Sequence, residues 1–211
     1  MSAPAQPRVP ARPDGRRMRS ERTRLLIMEA YIELLRESPQ IPTAAQIATR
    51  AGISTRLIFE RFSDLAALSL ATVDHAFATA EAAAAPRAVD GDRAARIKAH
   101  AETRARTCER WLPLWRVVLI NQPRLGALRD RIRFMRQVVV RRIELMYAPE
   151  LAMLTPEGRR EMLITLEALI DFESWARMRE HHGLEFDEAC SVWIAAIDRL
   201  LPVAPAANTG G

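Results

Sequence analysis

The chain has 211 residues, 49% of them apolar, enough for one good core or for a small domain joined to a larger one, and too apolar for a disordered polypeptide. Its formal charge is +5, and Lys98 is the single lysine among 31 basic residues, so arginine carries the positive charge. Arginine makes bidentate contacts to phosphate and to guanine edges that lysine cannot copy. No stretch of about eighteen apolar residues is present, which excludes a transmembrane helix, and the Pro- and Arg-rich start lacks the apolar core of a secretion signal. A cytoplasmic protein with no membrane partner is expected.

Residues 1–19 hold Pro4, Pro7, Pro10 and Pro13 with Arg8, Arg12, Arg16, Arg17 and Arg19, and read as a flexible basic arm. Ile27, Met28, Tyr31, Leu34 and Leu35 then recur at helical spacing. That first helix stops at Ser38-Pro39 and Ile41-Pro42, because the residue before proline is pushed out of the α region. Thr43 caps a second helix running to Arg50, Gly52 allows a tight turn, and Ser54 caps a third helix ending near Phe62. A longer helix extends from Ser63-Asp64 to about Ala85, followed by a loop over 86–92. Helix resumes over 93–110; Pro113 and Pro123 punctuate a broken, Trp-containing segment, and 124–147 is helical again. Thr155-Pro156-Glu157 opens a helix that carries Leu163, Leu166, Leu169, Phe172, Trp175 and Met178 before Gly183 ends it. The last helix carries Phe186, Ala189, Cys190, Trp193, Ile194, Ile197, Leu200 and Leu201, with a small polar tail from 203. The expectation is an all-α chain of about nine helices: an arm (1–19), a three-helix module (20–68) and a larger helical domain (69–202).

Within Thr43–Phe62, two short helices meet at a glycine turn, the spacing of a helix-turn-helix. Ala48 is small where the helices approach, Gly52 makes the turn, and Ile53 and Ile58 plug the space between them. On spacing alone, an αα-hairpin from an ordinary bundle fits equally well. The residues Ala30, Thr43, Ile47-Ala48, Ala51-Gly52-Ile53-Ser54, Phe59, Phe62 and Leu68, in register without gaps from Thr43 to Leu68, resemble the N-terminal module of the tetracycline-repressor (TetR) family. The match is tight over about a quarter of the chain; beyond it the likeness is one of helix number and length.

The resemblance implies a sequence-specific DNA-binding transcriptional regulator, a homodimeric repressor released from a palindromic operator by a small, mostly apolar effector. It implies that Thr43 caps its helix and reaches a phosphate, that Ser54, Thr55 and Arg56 open the recognition helix with Arg56 reading a base, and that Arg61, where the family often has His, contacts a phosphate. Phe59 stands where the family usually has Tyr, Leu65 where it has Lys, and Leu57 where it has a small hydroxyl residue. These departures support an alternative, a TetR-fold helical protein with weakened DNA binding that acts as a protein-interaction module. Charge counting agrees with weakened grip: residues 20–68 carry six arginines against six acids, so the arm would supply much of the phosphate attraction.

The last two helices are expected to form a four-helix bundle with a second copy. Trp111, Trp115, Met135, Met146, Phe172 and Trp175 lie on segments that would surround a central cavity, suited to a mostly apolar ligand. His181-His182 beside Glu185, Asp187 and Glu188 lacks the spacing of a metal site, and Cys108 and Cys190 read as buried thiols. No phosphate loop, catalytic triad or Cys-His pairing is present, so neither an enzyme nor a cofactor is expected.

Overall fold

The computed structural model describes residues 15–38, 40–84, 91–121 and 126–203. The arm before residue 15, Pro39, most of the 86–92 loop, the Pro123 break and the tail from 204 lie outside the described residues. Among those described, the chain is all helix: α1 (Gly15–Glu37), α2 (Ala44–Ala51), α3 (Thr55–Arg61), α4 (Leu65–Ala84), α5 (Arg93–Asn121), α6 (Gly126–Met146), α7 (Ala148–Leu151), α8 (Pro156–Leu169), α9 (Phe172–Ala176), a π-helical turn (Arg177–His181) and α10 (Phe186–Leu200). They form two compact units, divided between Ser69 and Leu70.

In the first unit α1 packs on α2 and α3, which pack on each other. Ile27, Tyr31, Ile47 and Ile58 are wholly buried and Ala48 nearly so. Thr43 closes a capping box with Gln46, and Gly52 ends α2 in the left-handed region at φ 65°. There the Ile53 N–H donates to the Ala48 carbonyl and the Gly52 N–H to that of Thr49, the paired bonds of a Schellman turn. The expected arm is shortened, because α1 starts at Gly15 rather than near Ser20. No proline falls between residues 15 and 37, Arg19 donates to the Gly15 carbonyl, and Arg17 pairs with Glu21 one turn on.

In the second unit α5 packs against α6, α9 and α10, and α8 against α6 and α10. The expected break at Pro113 does not occur; α5 runs through it. An internal proline costs about 3 kcal/mol. Trp111, Leu112, Leu114, Trp115, Val117 and Val118 are all buried around it, and each large apolar side chain buried contributes about 1.5–3 kcal/mol, so packing outweighs the lost backbone bond.

The opposite correction applies to the helix opened by Thr155, which stops at Leu169 instead of reaching Gly183. Asp171 turns its carboxylate onto the Ser174 N–H at 2.6 Å and starts a new helix, which then widens into the π-helical turn. A short helix, α7, was also not expected. Its Glu150 forms a buried ion pair with Arg96 of α5, an arrangement that removal of either partner would break at a cost of about 3–5 kcal/mol.

Trp175 is wholly buried, tilted against Trp193 at 5.0 Å and edge-on to Phe186 at 5.4 Å. Its indole donates to Glu109, and that of Trp193 to Ser174, so both polar edges are satisfied. The apolar stripes of the last helices therefore serve mainly the chain's own core: Leu166, Trp175, Ala189, Trp193 and Ile197 face inward, whereas Ile164, Val192 and Leu200 are exposed.

The turn at Gly52 generates a prediction. A Cβ there would meet no atom within 4 Å, so the penalty for replacing it is conformational, about 1–2 kcal/mol for an L-residue in the left-handed region. Gly52→Ala should lower the unfolding free energy obtained from urea titration of the full-length protein by that amount, and Gly52→Asn by less; equal stability of all three proteins would contradict the turn geometry.

A candidate nucleic-acid interface and a cavity

The first unit places Ser54, Thr55 and Arg56 together at the exposed start of α3. Ser54 spends its hydroxyl oxygen on the Leu57 N–H at 3.2 Å, fixing the first turn of the helix. Arg56 is 88% exposed along its side chain, and its Nε lies 3.1 Å from Glu60. An exposed pair of this kind is worth little and opens readily, leaving the guanidinium available to an acceptor. Thr43 is exposed at the start of α2, but its hydroxyl already donates to Gln46 Oε1 at 2.9 Å.

Phe59 is 49% exposed, an apolar ring on the outer side of α3, while Arg61 is half-buried. Arg61 has a buried Nε without a hydrogen-bond partner. A residue that sequence reading missed anchors this end of α3: Arg24 of α1 donates to the Arg61 carbonyl and lays its guanidinium 4.3 Å over the Phe62 ring. A cation against the carbonyl end of a helix also complements its dipole. Arg50, from the end of α2, reaches both carboxylate oxygens of Glu37 at 2.7 and 2.9 Å and Glu33 at 3.4 Å, so α2 is strapped to α1. Arg50 holds the Glu37 carboxyl below its ordinary range by that hydrogen bond. These straps use the polar groups of α1, and neither arginine was singled out because each pairs across elements that are separate in sequence.

The second unit contains a cavity of about 130 Å³ between α4, α5, α6 and the start of α9. Trp111, Trp115, Met135 and Phe172 stand on its wall together with Val73, Ala76 and Phe77. Trp175 does not, since Glu109 and Trp193 draw it to the other side of α5; Met146 is likewise absent from the wall. Trp115 stacks on Phe172 at 5.0 Å and donates its indole N–H to Glu173.

The polar part of the wall was not legible in the sequence: His100, Thr103, Arg104, Thr107 and Arg142, with Glu81 at an exposed position. His100 shares a 2.9 Å hydrogen bond between its Nδ1 and the Tyr147 hydroxyl. Burial, followed by the charges of Arg142 and Arg104, pushes its pKa down to about 3, so the ring stays neutral. The helical spacing of His100, Arg104 and Thr107 was the available signal, but it has the pattern of any polar stripe. Burial pushes the thiols of Cys108 and Cys190 up to about 11, which leaves them unreactive. Among the described residues no three His, Cys, Asp or Glu side chains gather where a metal ion would sit.

The sequence matches no protein-family model and no curated relative. Solved structures do match. A protein from Rhodococcus sp. described as a TetR-family transcriptional regulator shares 19% identity at a TM-score of 0.64, with 86% of this chain and 100% of that one covered. A transcriptional regulator from Rhodococcus sp. Rha1 shares 16% identity at 0.68, covering 86% and 99%. The multidrug binding protein EbrR, complexed with imidazole, shares 19% at 0.55, covering 92% and 93%. At these identities the likeness is one of fold, and this chain has the fold of TetR-family transcriptional regulators.

His100 gives the site a pH dependence that can be measured. Its folded pKa lies below the unfolded value of about 6.5, so its neutral burial contributes stability above that pH and loses it progressively as pH falls toward 3. Between pH 7.5 and 5.0 this amounts to about 2 kcal/mol. His100→Gln keeps an acceptor for Tyr147 and should remove that part of the acid sensitivity in urea titrations; identical pH slopes for variant and wild type would show that His100 is not buried and neutral.

Proposed function

We propose that the protein is a regulator of transcription and not an enzyme: a cytoplasmic homodimer that represses by binding a palindromic operator through α3 and leaves it when a small, mostly apolar ligand enters the cavity. The observation that carries this reading is the pair α2 and α3, locked at Gly52, with Ser54, Thr55 and Arg56 exposed together at the start of α3. A helix presented by its N-terminal residues is the element that enters a major groove. The solved regulators of the same fold support the reading, and the imidazole complex of EbrR supports a small-molecule ligand.

Ser54 and Thr55 offer short hydroxyls for phosphate and base edges, and Arg56 is long enough for a bidentate contact to guanine. Thr43 reaches phosphate at the start of α2, and Arg61 contributes charge from the end of α3. Arg8, Arg12, Arg16, Arg17 and Arg19, within residues 1–19, add sequence-independent attraction. Coupling to ligand follows from α4, whose Val73, Ala76, Phe77 and Ala80 line the cavity while its first residue, Leu65, comes three positions after Phe62, the last residue of the helix-turn-helix segment. A ligand that favours a different spacing of the two modules in a dimer weakens DNA binding by the same factor that DNA weakens ligand binding; about 1–3 kcal/mol of such coupling is typical.

A second reading, a protein-interaction module of the same fold, is favoured by one observation: Phe59 exposes half its ring on the face where the first reading needs phosphate contacts. Salt-dependent binding to duplex DNA separates the two.

Arg56→Ala is expected to weaken operator binding by about 1–3 kcal/mol and to relax preference at one base pair per half-site, measured by fluorescence anisotropy on a panel of duplexes. Equal affinity of wild type and variant for every duplex would remove Arg56 from base reading. For the dimer, the exposed Ile164, Val192 and Leu200 on α8 and α10 are the contact candidates, since Trp175 is wholly buried within its own chain. Ile164→Glu with Val192→Glu should give a folded monomer in sedimentation, whereas a persisting dimer would place the contact elsewhere.

A further inference from the structure

We propose that the cavity of the second unit takes a small aromatic carboxylate, its ring held among Trp111, Trp115 and Phe172 and its anionic group by Arg104 and Arg142. The inference rests on the effector-binding reading above and names the chemical class of the ligand. Size sets the first limit. At about 130 Å³ the cavity is close to the engineered apolar cavity of about 150 Å³ that holds benzene, so one ring with a short substituent fits.

The wall sets the second limit. The aromatic groups include a stacked pair, Trp115 and Phe172, whose rings are 14° from parallel. A flat ring adds to such surfaces through offset or edge contacts worth about 0.5–1.5 kcal/mol beyond burial.

Charge sets the third. Arg104 donates its Nε to the Ile170 carbonyl at 2.8 Å and rests its guanidinium 4.9 Å from the Phe172 ring centre. Among the described residues no carboxylate lies within ion-pair distance of it, and no acceptor receives a hydrogen bond from its two terminal nitrogens. Arg142 shares the wall, and His100 beside them is neutral. Among the described residues the sole carboxylate on the wall, Glu81, is solvent-exposed, where water screens its charge. A guanidinium fork facing an apolar space is matched by a carboxylate, which accepts two parallel N–H bonds. A neutral ligand would leave the terminal donors of Arg104 unmatched once water is displaced, and a cation would be repelled.

The test uses the full-length protein at pH 7.5 and three probes of one size: benzoate, benzamide and benzylammonium. Titration calorimetry and tryptophan fluorescence should show benzoate binding at least about tenfold tighter than benzamide, the difference expected for a charge-assisted hydrogen bond, with benzylammonium weakest. Arg104→Gln should reduce the preference for benzoate over benzamide to within about threefold. Should that variant fail to fold by circular dichroism, Arg142→Gln and the wild-type series decide instead.

Absence of saturable benzoate binding, equal or tighter binding of benzamide or benzylammonium, or a preference that survives folded Arg104→Gln would each overturn the proposal. Operator affinity measured in the same samples keeps the two readings apart: benzoate that binds with the predicted preference yet leaves DNA affinity unchanged supports the ligand class and removes the effector role.

Discussion

Arg104 ties α5 to the backbone at Ile170, where α8 ends, and lies over the ring of Phe172, where α9 begins. An unbroken helix through this point would have used the Ile170 carbonyl internally. Stopping it frees that carbonyl for Arg104, lets Asp171 cap α9, and brings Phe172 onto Trp115. The wall of the cavity and the cation beside it thus share a single cause. The same break starts the segment that carries Trp175 in the other direction, into the core with Trp193 and Phe186.

The smaller unit is held by different means. Its apolar core is modest, and its surface is strapped by Arg24 on the Arg61 carbonyl and Arg50 on Glu37 and Glu33. Arg24 and Arg50 are committed to such straps, and the module's six acids balance its six arginines, so a basic chain presents a neutral module. What remains exposed at the start of α3 is Arg56, paired only with Glu60 on the surface. Specific reading by a few residues, with general attraction supplied from elsewhere in the chain, is the division of labour that protein–DNA interfaces commonly show.

The parts legible in the sequence were those decided locally. Thr43, Gly52, Ser54 and Thr155 each act within a few residues of themselves, through a cap or a left-handed turn, and each sits where its local chemistry puts it. The errors came where distant contacts outweighed local preference. Pro113 should interrupt a helix, but the Trp111–Val118 surface buries too much to permit it. The segment after Thr155 has continuous helical periodicity, yet Arg104, more than sixty residues earlier, engages the carbonyl at its break. Trp175 is placed on the cavity by the segment it lies on in the resembled architecture, whereas a hydrogen bond to Glu109 takes it elsewhere. His100, Arg104 and Arg142 become a single polar group only after α5 and α6 have packed.

The central claim is that this fold, in this chain, reads DNA as a symmetric pair. Selection of bound duplexes from random DNA by the purified full-length protein tests it most directly. The account predicts an enriched palindrome with half-sites about 34–36 Å apart, bound with an affinity that falls steeply with salt. Recovery of unenriched sequences, with no duplex held above background at low salt, would contradict it.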